Sequence, residues 1–369
     1  MPNNHVTTLE IDLNAVDFNL NYFKSKVKSE TKVLAVVKAF GYGSDAVKIA
    51  KHLTSKVDYF AVAYADEGIA LREAGIENSI LVLHPQIQNL SLLVKYNLEP
   101  NLYSFKILQA FIEIVRVKNV SNYPIHLKFN TGLNRLGFVP NDVSEIADIL
   151  NKHAHLKVVS TFSHIAASED LNETEFTLKQ LSKFKSSSLL LANNLGYTPM
   201  QHMTNTSGII NYSKEAEFDM VRVGIGLYGF GNYENETKKL QNVVQLKSVI
   251  SQIHLVNPGE TVGYNRAFKA DSALKTATIP IGHADGILRQ FGNGKGYVYI
   301  NNKKAFIVGN VCMDMLMVNV TDIDCTEGDE VFVYKNHKHI EDLSEIINTI
   351  PYELLTAISE RVHRTLKKC

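Results

Sequence analysis

Eight short apolar runs rich in β-branched residues recur through the first two-thirds of the chain. They occupy 31–39, 59–64, 79–84, 99–104, 124–130, 156–165, 200–205 and 218–224. Most intervening segments carry helical spacing, as in Ile69, Leu71 and Ala74 after Ala65-Asp66-Glu67, or Val143, Ile146, Ile149 and Leu150 after Asn141-Asp142. Strands that alternate with helices form a parallel sheet covered on its outer face. A count of eight favours a closed (β/α)8 TIM-type barrel over an open doubly wound sheet, which needs no particular number of strands.

The chain has 369 residues, more than one barrel requires. Near residue 240 the pattern changes. From Val243 to Tyr334 the segments are short and β-rich, with turn signals at Asn257-Pro258-Gly259, Gly292-Asn293-Gly294, Asn301-Asn302 and Glu327-Gly328-Asp329. Helical spacing returns after Glu341. The expected organisation is a barrel over 8–240 and a mostly β domain over 241–369. An N-terminal strand within about 1–12 precedes the first βα unit and is free to join that second domain.

Balanced charge, 38 Lys+Arg against 38 Asp+Glu, gives no basic excess for nucleic acid or a membrane surface. Three cysteines (Cys312, Cys325, Cys369) are too few for a disulfide scaffold and suit a reducing compartment. The polar start and the lack of a long apolar stretch lead us to expect a cytoplasmic protein. The Asn-x-Ser/Thr matches at Asn119, Asn172, Asn205, Asn211, Asn235 and Asn319 then carry no glycan.

Chemistry in a barrel gathers where strands end. Lys38 follows the apolar run Val33-Leu34-Ala35-Val36-Val37, where desolvation would lower its pKa and open Schiff-base chemistry; a strand-end lysine reaching for water is the plainer alternative. The eighth run ends in Val223-Gly224-Ile225-Gly226, where glycines let backbone N–H groups approach an anion, although a tight turn would use them equally well. A reactive lysine after strand one and an anion cradle after strand eight are neighbours in a closed barrel, which is the layout pyridoxal phosphate requires. His337-Lys338-His339 reads as a polar turn rather than a metal site. Gly292-Asn293-Gly294-Lys295-Gly296 lacks Walker spacing and reads as a hairpin turn.

Ala35–Gly43 resembles the cofactor-lysine motif of the alanine racemase family, and Lys128–Gly137 resembles its Lys-x-Asp/Asn-Thr-Gly-x-x-Arg-x-Gly segment. Ser163-His164, His202–Thr206, Arg222–Gly229, Val262-Gly263-Tyr264, Pro280–Gly286, Cys312-Met313-Asp314 and Ile350–Glu353 follow in family order, from about residue 8 to 365. The resemblance implies a pyridoxal 5'-phosphate barrel with a β domain, and racemisation of alanine to supply D-alanine for peptidoglycan.

By the same resemblance, Lys38 holds the cofactor and acts on the D-face, and Tyr264 is the base for the L-face. Arg222 faces the pyridine nitrogen and His164 links it to the tyrosine. Tyr42, Thr206, Gly224, Ile225 and Tyr352 match positions that hold the phosphate; Arg135 and the Met313 backbone match the substrate-carboxylate site. The family lysine at position 128 can be carbamylated. Arginine at 222, rather than a carboxylate, leaves the ring neutral and disfavours transamination or decarboxylation. A homodimer with shared active sites is implied, since the family's β-domain base reaches the partner's barrel.

Departures from the family pattern are His283, Asn310, Ser44-Asp45, Asn265 and Thr206; the first two are expected near the substrate entry. Alternatives are a serine or broad-specificity racemase, a pyridoxal-phosphate carrier built on the barrel alone, and a racemase unit of a larger cell-wall ligase polypeptide, a subgroup that Lys38–Ser44 resembles.

Overall fold

The structure, a computed structural model, describes residues 5–367. The first four residues of the N-terminal strand expectation, and Cys369, lie outside the described residues. After β1 (Thr8–Ile11) come β2 (Lys32–Val36), β3 (Tyr59–Val62), β4 (Ser79–Val82), β5 (Glu99–Leu102), β6 (Tyr123–Lys128), β7 (Leu156–Phe162), β8 (Met200–His202) and β9 (Met220–Val223). From β2 to β9 every pairing is parallel, in the order β8-β7-β6-β5-β4-β3-β2-β9. The ends meet: Asp219 N–H donates to the Gln201 carbonyl (3.1 Å) and Arg222 N–H to that of Thr204 (3.2 Å). The sheet is therefore a closed eight-stranded barrel. Its strands are buried on both faces, as at Ile80, Leu81 and Val82, which explains why the sequence shows continuous apolar runs rather than alternation.

The remaining strands are β10 (Val244–Val249), β11 (Gln252–Val256), β12 (Thr261–Val262), β13 (Phe268–Lys269), β14 (Leu274–Ile279), β15 (Tyr297–Ile300), β16 (Lys303–Val308), β17 (Leu316–Asn319), β18 (Glu330–Tyr334) and β19 (His363–Leu366). All except the β12–β13 ribbon join a second sheet, ordered β11-β14-β17-β16-β15-β18-β10-β1-β19. The N-terminal strand does enter this sheet: β1 lies antiparallel to β10 and parallel to β19. One local expectation changes. His337-Lys338-His339 opens the helix His337–Ile346 rather than forming a polar turn, and His339 is buried with its ring stacked on Tyr297. In the Gly292–Gly296 turn, Asn293 and Gly294 give their N–H groups to the Gly309 and Ile307 carbonyls, so they cannot cradle an anion.

The run 31–39 also stops early as a strand. β2 ends at Val36, and Ala39, Phe40, Gly41 and Tyr42 follow at φ of 53°, 54°, 65° and 51°. A left-handed turn is unfavourable by about 1–2 kcal/mol per residue bearing a Cβ, so its surroundings must impose it. Glu67 accepts the Ala39 N–H at 2.6 Å on the entry side. On the exit side Arg364 of β19 donates Nε and Nη2 to the Gly43 carbonyl (3.3 and 2.9 Å) and spends its remaining donors on the carbonyls of Ile358, Ser359 and Val362. Removing the buried guanidinium takes a donor away from four carbonyls at once. Arg364→Ala should lower unfolding stability by about 3 kcal/mol in urea titration, and Arg364→Lys should recover only part, because one ammonium cannot reach all four acceptors.

Candidate active site

The turn after β2 faces a cavity of 580 Å3 at the C-terminal ends of the barrel strands. Lys38, Tyr42, Arg135, His164, Thr206, Arg222, Gly224, Ile225 and Tyr352 all line it, joined by Lys128, Phe162 and Asn205. Residues scattered over the whole sequence thus meet because each follows a strand of one closed barrel. Tyr352 is different, since the helix Pro351–Thr356 carries it in from the C-terminal part of the chain.

Charge dominates this cavity. Lys38, Lys128, Arg135 and Arg222 line it, and no Asp or Glu does so among the described residues. Burial and the charges of Arg135 and Arg222 hold the Lys38 amine below the ordinary lysine range. Lys128 is pushed down further, to about 7, by burial and then by Arg135, Arg222 and Lys38. Arg222 is brought down to about 9 by burial and Arg135, so it is still charged at neutral pH. Such a set requires an anionic occupant.

Arg222 is also the most firmly placed. Its Nη1 donates to His202 Nδ1 (2.8 Å), and its Nη2 to the carbonyls of Ser163 and Met203 (2.9 Å each) and to His164 Nδ1 (3.1 Å). All of these use the Nη atoms, which leaves Nε–H as the donor for a group in the cavity. Because arginine only donates, His164 Nδ1 must accept, and its proton sits on Nε2. Burial and Arg222 push His164 well below the ordinary histidine range, so the ring is neutral.

At the opposite end lie the Thr206, Tyr42 and Tyr352 hydroxyls and the Gly224–Gly226 backbone. Thr206 Oγ1 accepts from the N–H groups of Gly224 and Gly226 at 3.3 Å each. A Cβ on Gly224 would lie 2.6 Å from Tyr42 Oη, so only glycine leaves this cradle open. Burial raises both tyrosines above the ordinary phenol range and keeps their hydroxyls as neutral donors. Donor hydroxyls, bare backbone and nearby cations suit a phosphate. Tyr42 packs at a tilt against the buried Tyr228, whose hydroxyl donates to the Val36 carbonyl at 3.2 Å and ties the cradle to the end of β2.

Tyr264 and Met313 are not in this cavity. They are 74% and 58% exposed and share a separate hollow of 970 Å3 with Met315, Leu255 and Arg266. Asn310, one of the departures, donates to the Tyr264 carbonyl at 3.2 Å, and His283 N–H donates to the Cys312 carbonyl. Both therefore stand beside Tyr264 and Met313 rather than at Lys38.

Sequence reasoning missed Glu67, Gln180 and Arg364. Gln180 Nε2 donates to the His164 carbonyl (3.3 Å) while its Oε1 accepts from Ala166 N–H (2.9 Å), which sets the loop that aims His164. A glutamate at the third helical position was the only advance signal for Glu67.

The lysine at 128 gives a pH test. Its folded value of about 7 lies below the 10.5 of an exposed lysine, so between these the unfolded chain binds a proton that the folded chain releases. Stability then rises with pH from 7 to 10.5. In melts of cofactor-free protein in CO2-free buffers, Lys128→Met should stabilise the chain at pH 7 and flatten that rise.

Residues 11–231 match the family description "Alanine racemase, N-terminal domain", and 243–366 match "Alanine racemase, C-terminal domain". The alanine racemase of Rickettsia canadensis is 36% identical over 97% of this chain and 98% of its own. The Clostridium difficile 630 alanine racemase in complex with cycloserine superposes with a TM-score of 0.90 at 32% identity, covering 98% of this chain and 96% of that one. The Bartonella henselae enzyme, solved with covalently bound pyridoxal phosphate, does so with a TM-score of 0.88 at 30% identity, covering 98% and 100%.

Proposed function

This chain belongs to the alanine racemase family, and we propose that its barrel cavity interconverts L- and D-alanine with pyridoxal 5'-phosphate, by two bases acting on opposite faces. The observation that carries this is a lysine and an arginine in a cavity lined by cations without a carboxylate, next to a hydroxyl-and-backbone cradle at Gly224.

When bound, pyridoxal phosphate supplies the electron sink that makes the α-proton of an amino acid labile. Lys38 would hold its aldehyde carbon until the substrate amine takes its place there. The freed Lys38 amine, which burial already keeps easy to deprotonate, would then move the proton on the D-face. Thr206, Tyr42, Tyr352 and the backbone at Gly224 and Ile225 would hold the phosphate, with the Gly224 N–H shared with Thr206 Oγ1. Arg222 would donate toward the ring nitrogen and yield it no proton, which would weaken the sink and restrain transamination. Arg135 and the Met313 backbone take the substrate carboxylate, and Lys128, once carbamylated, becomes the anion that orients Arg135. A value near 7 leaves about half of its amine neutral for that reaction at neutral pH.

Tyr264 takes the L-face. One copy of the chain holds it away from Lys38, in an exposed hollow, so the second base comes from another copy across a homodimer. Placed there, Tyr264 Oη would meet His164 Nε2–H, with Arg222 bonded to the far side of that ring. We assign the product to peptidoglycan precursor supply, in the cytoplasm. No helix among the described residues is long and apolar enough to cross a membrane.

Pure L-alanine and cofactor-loaded protein should yield D-alanine, with activity abolished in Lys38→Ala and lowered by about 100-fold or more in Tyr264→Phe. Faster turnover of serine would move the assignment to a broader racemase, and cofactor binding without turnover of any amino acid would move it to a carrier. Equal mixing of the two inactive variants tests the shared site: mixed dimers keep one intact site, and about a quarter of wild-type activity should return. No recovery would place both bases in one chain.

A further inference from the structure

Five side chains from five consecutive barrel strands join hands through the core. Arg222 Nη1 meets His202 Nδ1 at 2.8 Å, and His202 Nε2 meets Ser160 Oγ at 3.0 Å. Ser160 Oγ meets His126 Nδ1 at 2.6 Å, and His126 Nε2 meets Glu99 Oε2 at 2.8 Å. Glu99, His126, Ser160, His202 and Arg222 come from β5, β6, β7, β8 and β9 in that order, and all are buried.

We propose that this row is a one-way hydrogen-bond chain in which Glu99 is the remote counter-charge of Arg222, making Glu99, His126, Ser160 and His202 positioning residues for racemisation. The two ends set its direction. Guanidinium can only donate and carboxylate can only accept, so each proton between them points from Arg222 toward Glu99. His202 then carries its proton on Nε2, Ser160 donates to His126 Nδ1, and His126 carries its proton on Nε2. Every donor in the row has an acceptor in that arrangement. A cationic His126 would leave the Ser160 hydroxyl proton with neither ring nitrogen to receive it.

Buried charges without partners are costly, and the cavity adds Lys38, Lys128 and Arg135 around Arg222, with His164 on its other side. Glu99 balances this through bonds that polarise one another. Around it stand His126, the Ser79 hydroxyl, the Arg72 guanidinium, Tyr59 and Tyr123. Burial pushes the Glu99 carboxyl up, against the bonds it accepts from His126 and the Ser79 hydroxyl and the charge of Arg72. Phe162, stacked on His202 at 4.8 Å, screens the row from the cavity.

The inference rests on Arg222 facing the ring nitrogen, and the experiments separate the two. Imidazole 15N NMR of the wild-type protein, recorded without cofactor, should show His126 and His202 both protonated at Nε2 alone. A proton on either Nδ1 overturns the chain whatever Arg222 does. Glu99→Gln keeps an acceptor oxygen but removes the charge. It should move the alkaline limb of the kcat/KM profile down by about one unit and reduce kcat about tenfold with KM little changed. Where that variant does not fold, Ser160→Ala cuts the row without altering a charge and should shift the limb the same way, with Ser160→Thr restoring it. Unshifted profiles in variants that fold would overturn the proposal. If Arg222→Ala keeps the wild-type profile, the Arg222 assignment fails instead.

Discussion

Everything at the barrel mouth follows from positive charge concentrated where solvent is scarce. Lys38, Lys128, Arg135 and Arg222 line one cavity without a carboxylate; burial, and after it the repulsion among these charges, pulls the proton affinities of Lys38, Lys128 and Arg222 down. Together these make Lys38 a usable amine and Lys128 a titratable one, and the positive charge makes an anionic cofactor and substrate the natural occupants. A single carboxylate lining the cavity would offset the repulsion but not the burial.

The geometry that holds the charges is strained, and the strain is local. Five successive positive φ values, from Ala39 to Gly43, turn the chain back so that Lys38 and Tyr42 both face the cavity. Glu67 and Arg364 grip the two ends of that turn, one from the barrel and the other from the last strand of the second sheet. The C-terminal part of the chain thus shapes the barrel cavity, through Arg364 of β19 as much as through Tyr352 of the helix Pro351–Thr356.

Much of this was legible in the sequence. The eight barrel strands stand where the apolar runs placed them, because strands buried on both faces leave an uninterrupted signature. Lys38, Arg222 and Gly224 meet because neighbours in a closed barrel include its first and last strands. The motif resemblance supplied Tyr264, which no periodicity could connect to Lys38. What was hidden has a physical reason. Arg364 bonds only to backbone carbonyls, which leave no trace in side-chain patterns. The strand expectation runs on through Val37–Ala39 because neither residue type nor hydropathy announces a left-handed turn held from outside. Glu99 lies within one of the apolar runs, and its bonded partner His126 is 27 residues away on another strand. The His337 turn was misjudged because polar residues also begin helices that bury one face.

The parallel pairing of β1 with β19 bears on how the chain is made. Thr8 rests beside His363, and Lys367 Nζ meets Asp12 at a sequence separation of 355 residues. β1 must wait, with one edge unpaired, until β19 has been made. The barrel strands β2–β9 all precede β19, so the barrel can close while Arg364 has not yet arrived to grip Gly43. Docking of β19 beside β1, rather than closure of the barrel, is therefore the moment at which the lysine turn is locked.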